Sequence, residues 1–469
     1  MPILLSILFN VFFVGFTDKG TSPRIALSDT ALTMRAAHGI AIDSLDYAVS
    51  AAYLDSIRAA GGSVLHTSRW MNGATVKADA AVAHRIADLP CVRMMVLTRD
   101  TTPPPARLQR RDKRDITTTA TDYGRAQAQL QTYNLLPLHE AGFRGQGIRI
   151  AVIDGGFQNA NTLHAFDAVR EQIRGHYDFT DDEDDFFGTT GSHGTMCLST
   201  IAARLEDYEG AATEAQYYLM RTEEYYTESP KELDNWVAAI EAADSMGVHI
   251  TSTSLGYSTF DNADFDFTYA DMNGSSNRAS RAATIAARKG MLVLVSAGNE
   301  GSKPWTYITA PADADSILTV GAVNADGDIG RFSSFGPAYD GRVKPEVCAV
   351  GWGTTIVNPT TGDVISGNGT SFACPLLAGM AACLWSALPA ESAMQIRERI
   401  IRSADRYLNP DTHYGYGIPD AWVAYTETTD MQPPSVQRQT KYRKTLQDGH
   451  LFIIMNGCAY TIMGQKKAN

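Results

Sequence analysis

Along the chain, apolar residues gather in short runs whose spacing changes character several times. Residues 3–16 (ILLSILFNVFFVGF) form one long, mostly apolar run unbroken by charge. It is shorter than the roughly 20 residues that a membrane span requires. That length predicts the core of a signal peptide over residues 1–20. Between residues 40 and 100 the pattern predicts a small β-α-β-β-α-β domain. Its elements are an apolar run at 40–42, a helix over 47–59 stopped by Gly61 and Gly62, and strands at 64–67 and 73–77. A helix over 80–86 with Asp79 as N-cap and a strand at 92–97 complete it. Residues 101–115 (TTPPPARLQRRDKRD) join a proline run to five basic residues, a composition that stays extended, solvated and open to cleavage. The domain and this linker together occupy 21–115.

From about residue 123 to 425, short apolar runs at 148–153, 217–220, 250–253, 291–296 and 317–323 alternate with helical stretches such as 232–246 and 280–289. Strands that are apolar throughout, separated by helices, are buried on both faces. The domain at 116–430 is therefore expected to be α/β, a parallel sheet with helices on both faces. Residues 431–469 read as a short tail ending in a hairpin, with strands at 451–455 and 458–463 around Asn456 and Gly457.

Composition narrows the function. A formal net charge of -12 argues against nucleic acid or an anionic membrane as the main partner. Once the leader is removed, no membrane span is expected. Six scattered cysteines show no zinc-ligand spacing and no disulfide framework. No cofactor is expected. The acidic run at 178–185 (DFTDDEDD) lacks the spacing of an EF-hand calcium loop and reads as a solvated loop, so a structural calcium ion is conceivable but has no assigned ligands.

Four segments carry candidate chemistry. Asp154 ends a buried strand in RIAVIDGGF, where the chain must turn sharply; an Asp-Gly pair is also an ordinary turn. His193 opens a helix in GSHGTM among small residues that leave room for a partner. Asn299 follows a buried strand in MLVLVSAGNEG and offers neutral N–H donors, though an Asn turn has the same sequence. Ser371 lies at the start of an apolar helix in GNGTSFA, where a plain N-cap is equally natural. Acyl transfer needs a hydroxyl, an imidazole to take its proton, a carboxylate to orient the imidazole and a donor for the oxyanion. The chain supplies one of each, in the order Asp, His, Ser.

These residues resemble the motifs of subtilisin-like serine peptidases. AVIDGGF, GSHGTM, SAGNEG and GTSFACPLLAG match the Asp, His, oxyanion-Asn and Ser motifs in their usual order. The resemblance implies a secreted serine endopeptidase in which Asp154 orients, His193 is the general base, Ser371 is the nucleophile and Asn299 forms the oxyanion hole. It also implies substrate contacts at Ser254, Leu255 and Gly256 and at Ala297 and Gly298, with protein or peptide substrates. The first domain resembles the family propeptide, implying a self-processed zymogen with its own intramolecular inhibitor. Phe372 and Cys374 stand where many relatives carry Met and a small non-thiol residue. Cys197 and Cys374 read as buried core thiols rather than a redox switch. The tail is similar to short carboxyl-terminal hairpins of secreted Bacteroidetes-type proteins. The alternative function is a catalytically silent surface or binding protein with the same fold.

Overall fold

Seven strands form the central sheet, in the order Val347–Val350, Leu318–Val323, Leu292–Ser296, Ile250–Thr253, Arg149–Asp154, Gln216–Arg221 and Ile173–Asp178. Every neighbouring pair is parallel. The structure is a computed structural model describing residues 9–21, 23–100, 123–180 and 185–427, and the backbone of strands Tyr442–Gln447, His450–Met455 and Cys458–Thr461. Alternation along one strand shows how the sheet is buried on both sides. Ile150 and Val152 join the core that surrounds helix Thr370–Ala387, while Ala151 and Ile153 join the one beneath helices Lys231–Met246 and Arg278–Arg288. Strands with two covered faces need no alternation of polar positions, hence runs such as Leu292–Ser296, although Ile250–Thr253 (ITST) buries hydroxyl side chains in the same way. The two unexpected strands lie at the sheet edges. Ile173–Asp178 is largely exposed and Val347–Val350 has only four residues, so neither left a strong apolar signal.

Helix Thr370–Ala387 is, among the described residues, the one helix long and apolar enough to cross a membrane. It is 89% buried within the protein, which makes it a core helix.

The amino-terminal domain is a four-stranded antiparallel sheet in the order Ser63–Ser68, Gly73–Ala78, Asn10–Phe16, Val92–Arg99. This corrects two expectations. The apolar run at 3–16, expected to be a signal core, supplies at 10–16 an interior strand of the sheet, and residues 40–42 carry no strand. The physical reason is again burial on both faces. Val14 and Phe16 pack on the domain's own core with Ile57 and Ile86, while Phe13, on the other side, lies under the Arg278 guanidinium at 4.7 Å. Such a strand has the same apolar monotony as a signal peptide. The folded domain thus begins before residue 20. The linker at 101–115 and the centre of the acidic run lie outside the described residues.

This domain docks on helices Lys231–Met246 and Arg278–Arg288. The Glu241 carboxylate accepts the backbone N–H groups of Arg69 at 2.8 Å and Trp70 at 3.2 Å. Arg35 bridges Asp46 of its own domain at 3.0 Å and Asp244 of the helix at 2.8 Å. A segment spanning residues 9–115, added in trans, should therefore bind the rest of the chain, whereas one beginning at residue 21 should not. Loss of the strand removes Val11, Phe13, Val14 and Phe16, each worth about 1.5–3 kcal/mol of burial, which rivals the whole stability of a small domain. Equal binding by both segments would contradict the interior placement of the strand.

The described strands of the tail form a separate unit, a three-stranded antiparallel sheet. Phe452 pairs with Thr461 and Met455 with Cys458, in register with the expected hairpin, and Tyr442–Gln447 adds a third strand.

Candidate active site

Carboxyl ends of parallel strands gather reactive groups at one edge of the sheet. Asp154 is the last residue of strand Arg149–Asp154 and is 1% exposed. After it the chain turns through Gly155 and Gly156, and helix His193–Ala202 docks against that turn. The docking needs glycine at 194. Its N–H donates to the Gly156 carbonyl at 2.9 Å, and a Cβ there would lie 2.6 Å from that oxygen and 2.8 Å from the Phe157 ring. The close approach sets His193, the first residue of the helix, beside the strand tip. Its Nδ1 lies 2.7 Å from Asp154 Oδ1, which also accepts the Gly155 N–H at 2.7 Å. In the neutral ring Nδ1 therefore carries the proton and Nε2 the lone pair, and Nε2 has no hydrogen-bond partner among the described residues. Burial works against the imidazolium. The Asp154 carboxylate and the Cys197 sulfur outweigh it and hold the His193 pKa well above its ordinary 6.5.

Ser371 is the second residue of helix Thr370–Ala387, which contains Pro375. A proline has no N–H, so the carbonyl four residues earlier, that of Ser371, loses its helical donor. Two side chains replace it. Ser254 Oγ donates at 2.8 Å and Cys197 Sγ at 3.3 Å. The Ser371 hydroxyl in turn donates to the Ser254 carbonyl at 3.3 Å. Ser371 is thereby tied to the end of strand Ile250–Thr253 and to the helix that bears His193, whose ring stacks on Phe372 at 6.0 Å between centroids.

Asn299 lies just past strand Leu292–Ser296. Its Oδ1 accepts the Thr370 N–H at 2.9 Å and the Thr370 hydroxyl at 3.1 Å. With the oxygen committed, Nδ2 remains as a donor beside the Ser371 helix, 3.7 Å from where a Cβ on Gly369 would stand. An open cavity of about 600 Å³ adjoins it, lined by Ser254, Leu255, Gly256, Gly298 and Ser371 among others. Thr309 forms part of its wall, and a Cβ on Gly256 would meet the Thr309 hydroxyl at 2.1 Å. Ala297 is fully buried, its N–H donating to the Val320 carbonyl at 3.0 Å and its carbonyl accepting the Thr309 N–H at 3.3 Å.

Sequence reasoning did not single out Thr370, which holds Asn299, or the acidic group formed by Glu223, Glu228 and Glu232. The signal was the glutamate-rich stretch 223–232 following strand Gln216–Arg221. Those three carboxylates, and separately Asp154, His193 and Cys197, could each bring three ligand atoms within 4.8 Å of one another. In the second set the His193 Nδ1 is already engaged by Asp154.

The carboxyl edge of the sheet thus carries a buried carboxylate hydrogen-bonded to an imidazole, and beside it a serine hydroxyl and an amide donor that line one cavity. Sequence comparison names the class. The profile of the Subtilase family matches residues 145–417, and that of the Peptidase S8 propeptide domain of Bacteroidota matches residues 11–115. The chain belongs to the subtilase family and is a serine endopeptidase made as a zymogen. It is 29% identical over 291 residues to subtilisin E of Bacillus subtilis (strain 168), covering 61% of this chain and 68% of the relative. It is 31% identical over 292 residues to a thermostable alkaline protease of Halalkalibacterium halodurans, covering 61% and 70%. The MycP3 protease from the type VII (ESX-3) secretion system shares the fold, with a TM-score of 0.50 and 22% identity over 66% of this chain and 90% of that one.

Proposed function

We propose that Asp154, His193 and Ser371 act as a catalytic triad, with Asn299 and the Ser371 backbone N–H as the oxyanion hole. The observation that carries this reading is the 2.7 Å contact from His193 Nδ1 to the buried Asp154, which leaves Nε2 as the base. Ser371 Oγ leaves the Ser254 carbonyl, passes its proton to Nε2 and attacks the substrate carbonyl carbon. The tetrahedral oxyanion takes up the Asn299 Nδ2–H. His193 then returns the proton to the departing amine as the C–N bond breaks, leaving an acyl ester on Ser371. Water, deprotonated by the same imidazole, hydrolyses the ester and restores the serine. Ser254, Leu255, Gly256 and Gly298 line the cavity that receives the substrate. The enzyme processes itself within the basic linker at 101–115 and acts after export. A zymogen harmless until its linker is cut suits a protease that must cross its own cell.

A fluorophosphonate, which reacts only with an activated serine, tests the reading. It should label the processed enzyme, and the labelling rate should rise with pH. The imidazolium cannot accept the Ser371 proton, and the His193 pKa lies above 6.5, so the acid limb should be centred on the alkaline side of that value. No labelling, or a rate independent of pH between about 5 and 9, would remove His193 as base.

A further inference from the structure

Between its first strand, Asn10–Phe16, and helix Ala51–Ala59 the propeptide makes an excursion that closes on itself. Its ends meet: the Ala48 N–H donates to the Arg24 carbonyl at 2.8 Å and the Ala26 N–H to the Asp46 carbonyl at 2.9 Å. Helix Asp29–Ala37 and a short 3₁₀ turn at Ser44–Asp46 lie between them. Lys19 ties this arm to the small domain at the Tyr47 carbonyl, 2.6 Å away. Among the described residues, however, none from 24 to 48 belongs to the hydrophobic core that Val14, Phe16, Ile57 and Ile86 help to build for that domain. Leu45 packs instead on the core beneath helices Lys231–Met246 and Arg278–Arg288 of the peptidase domain. Ordering a segment of this length costs conformational entropy, and the burial that offsets the cost lies on the other domain.

The arm docks away from the active site. Strand Arg149–Asp154 ends at the triad carboxylate, whereas the arm meets the residues at and before the starts of this strand and of strands Ile250–Thr253 and Leu292–Ser296. Met34 Sδ accepts from Arg149 Nη2 at 2.9 Å, and the Ser28 N–H donates to the Ser245 carbonyl at 2.9 Å. Ile40 covers Gly290, where an added Cβ would stand 2.4 Å from its Cδ1. Four charged side chains close the contact. Arg35 and Asp46 of the arm and Asp244 and Lys289 of the peptidase domain are each 4% exposed or less. Arg35 lies 3.0 Å from Asp46 and 2.8 Å from Asp244, Lys289 lies 2.6 Å from Asp46, and Arg35 also donates to the Lys289 carbonyl. Dehydrated charges persist only when paired, and these four are fully paired only while the arm is seated.

We propose that residues 24–48 dock on a second surface of the peptidase domain, at the amino edge of its sheet, and that this contact keeps the propeptide on the enzyme after the linker is cut. The proposal takes self-processing from the reading above. No residue of the arm lines the cavity beside Ser371, so substrate does not compete for this surface. Truncating one partner of a buried, hydrogen-bonded charge pair acts chiefly on the rate of dissociation.

The test uses the full-length chain, left to process itself. Mass spectrometry follows the cut, gel filtration follows retention, and the onset of hydrolysis of a small fluorogenic peptide follows release. In the wild type the cut propeptide should co-elute with the peptidase domain, and hydrolysis should lag behind the cut. One variant replaces residues 25–47 by two glycines joining Arg24 to Ala48, whose backbones are already hydrogen-bonded. Two others are Arg35→Ala on the arm and Asp244→Ala on the enzyme. Each should release the propeptide at least about 30-fold faster, so that hydrolysis follows the cut directly. Arg35→Ala and Asp244→Ala combined should give less than the product of their separate effects, a non-additivity that mere loosening of the small domain would not produce. A wild-type propeptide that separates as soon as the linker is cut, or release at the wild-type rate from the deletion and from both point variants, overturns the proposal and leaves the triad intact. If the wild-type linker stays whole and no fluorophosphonate labels the chain, the triad assignment falls. Brief trypsin treatment, which cuts at the basic residues of the linker, then decides retention by the same gel-filtration outcomes.

Discussion

Ser371→Ala should reduce peptide hydrolysis by about six orders of magnitude in kcat, the loss known for removal of the nucleophile in subtilisin, a relative. The expectation rests on position. Ser371 is held between the Ser254 loop and the His193 helix, and the methyl of alanine keeps every backbone tie while removing the one oxygen that can attack. The Ser371 carbonyl still accepts from Ser254 and Cys197, so the variant should fold normally. The full-length variant should accumulate uncut, with the linker at 101–115 intact on mass spectrometry, and should fail to bind a fluorophosphonate. Processing at the normal site in a purified variant would mean that another residue, or another protease, cuts the linker.

Asn299→Ala should lower kcat by about 100–1000-fold, again a figure taken from subtilisin. Thr370 decides why the loss should fall on kcat. By occupying Oδ1 with two hydrogen bonds, it fixes Nδ2 as the group presented to the developing oxyanion. That charge exists only in the transition state, so KM should move little. Thr370→Val should reproduce part of the loss by letting the amide turn, whereas Thr370→Ser, which keeps both donors, should restore most of it. A variant at 299 whose deficit lay in KM would place Asn299 in ground-state binding instead.

The sheet and its chemistry were legible because both come from local rules. A buried parallel strand is an apolar run, and Asp154, Asn299 and Ser371 each lie where such a run meets small residues. The two edge strands escaped for different reasons: Ile173–Asp178 faces water over most of its length, and Val347–Val350 is buried but only four residues long. The run at 10–16 misled for the opposite reason: a strand covered on both faces has no alternation, and composition alone cannot separate it from a signal core. The tertiary parts of the site were not legible. Nothing in the spacing of Thr370 and Asn299, 71 residues apart, or of Glu223 and Gly155, announces that they meet.

Pro375 gives the serine an assembly condition. Because that proline removes the helical partner of the Ser371 carbonyl, the serine is anchored only when the Ser254 loop and the Cys197 helix, separated from it by 117 and 174 residues, have both arrived. A continuous helix would have fixed the residue by itself, early and locally. Here the serine carbonyl has its partners only once non-local pairings of the parallel sheet, which form slowly, are in place. A half-folded copy would hold all its catalytic side chains and still lack a seated serine, so newly made molecules crowded together are spared from digesting one another before any inhibitor domain is called on.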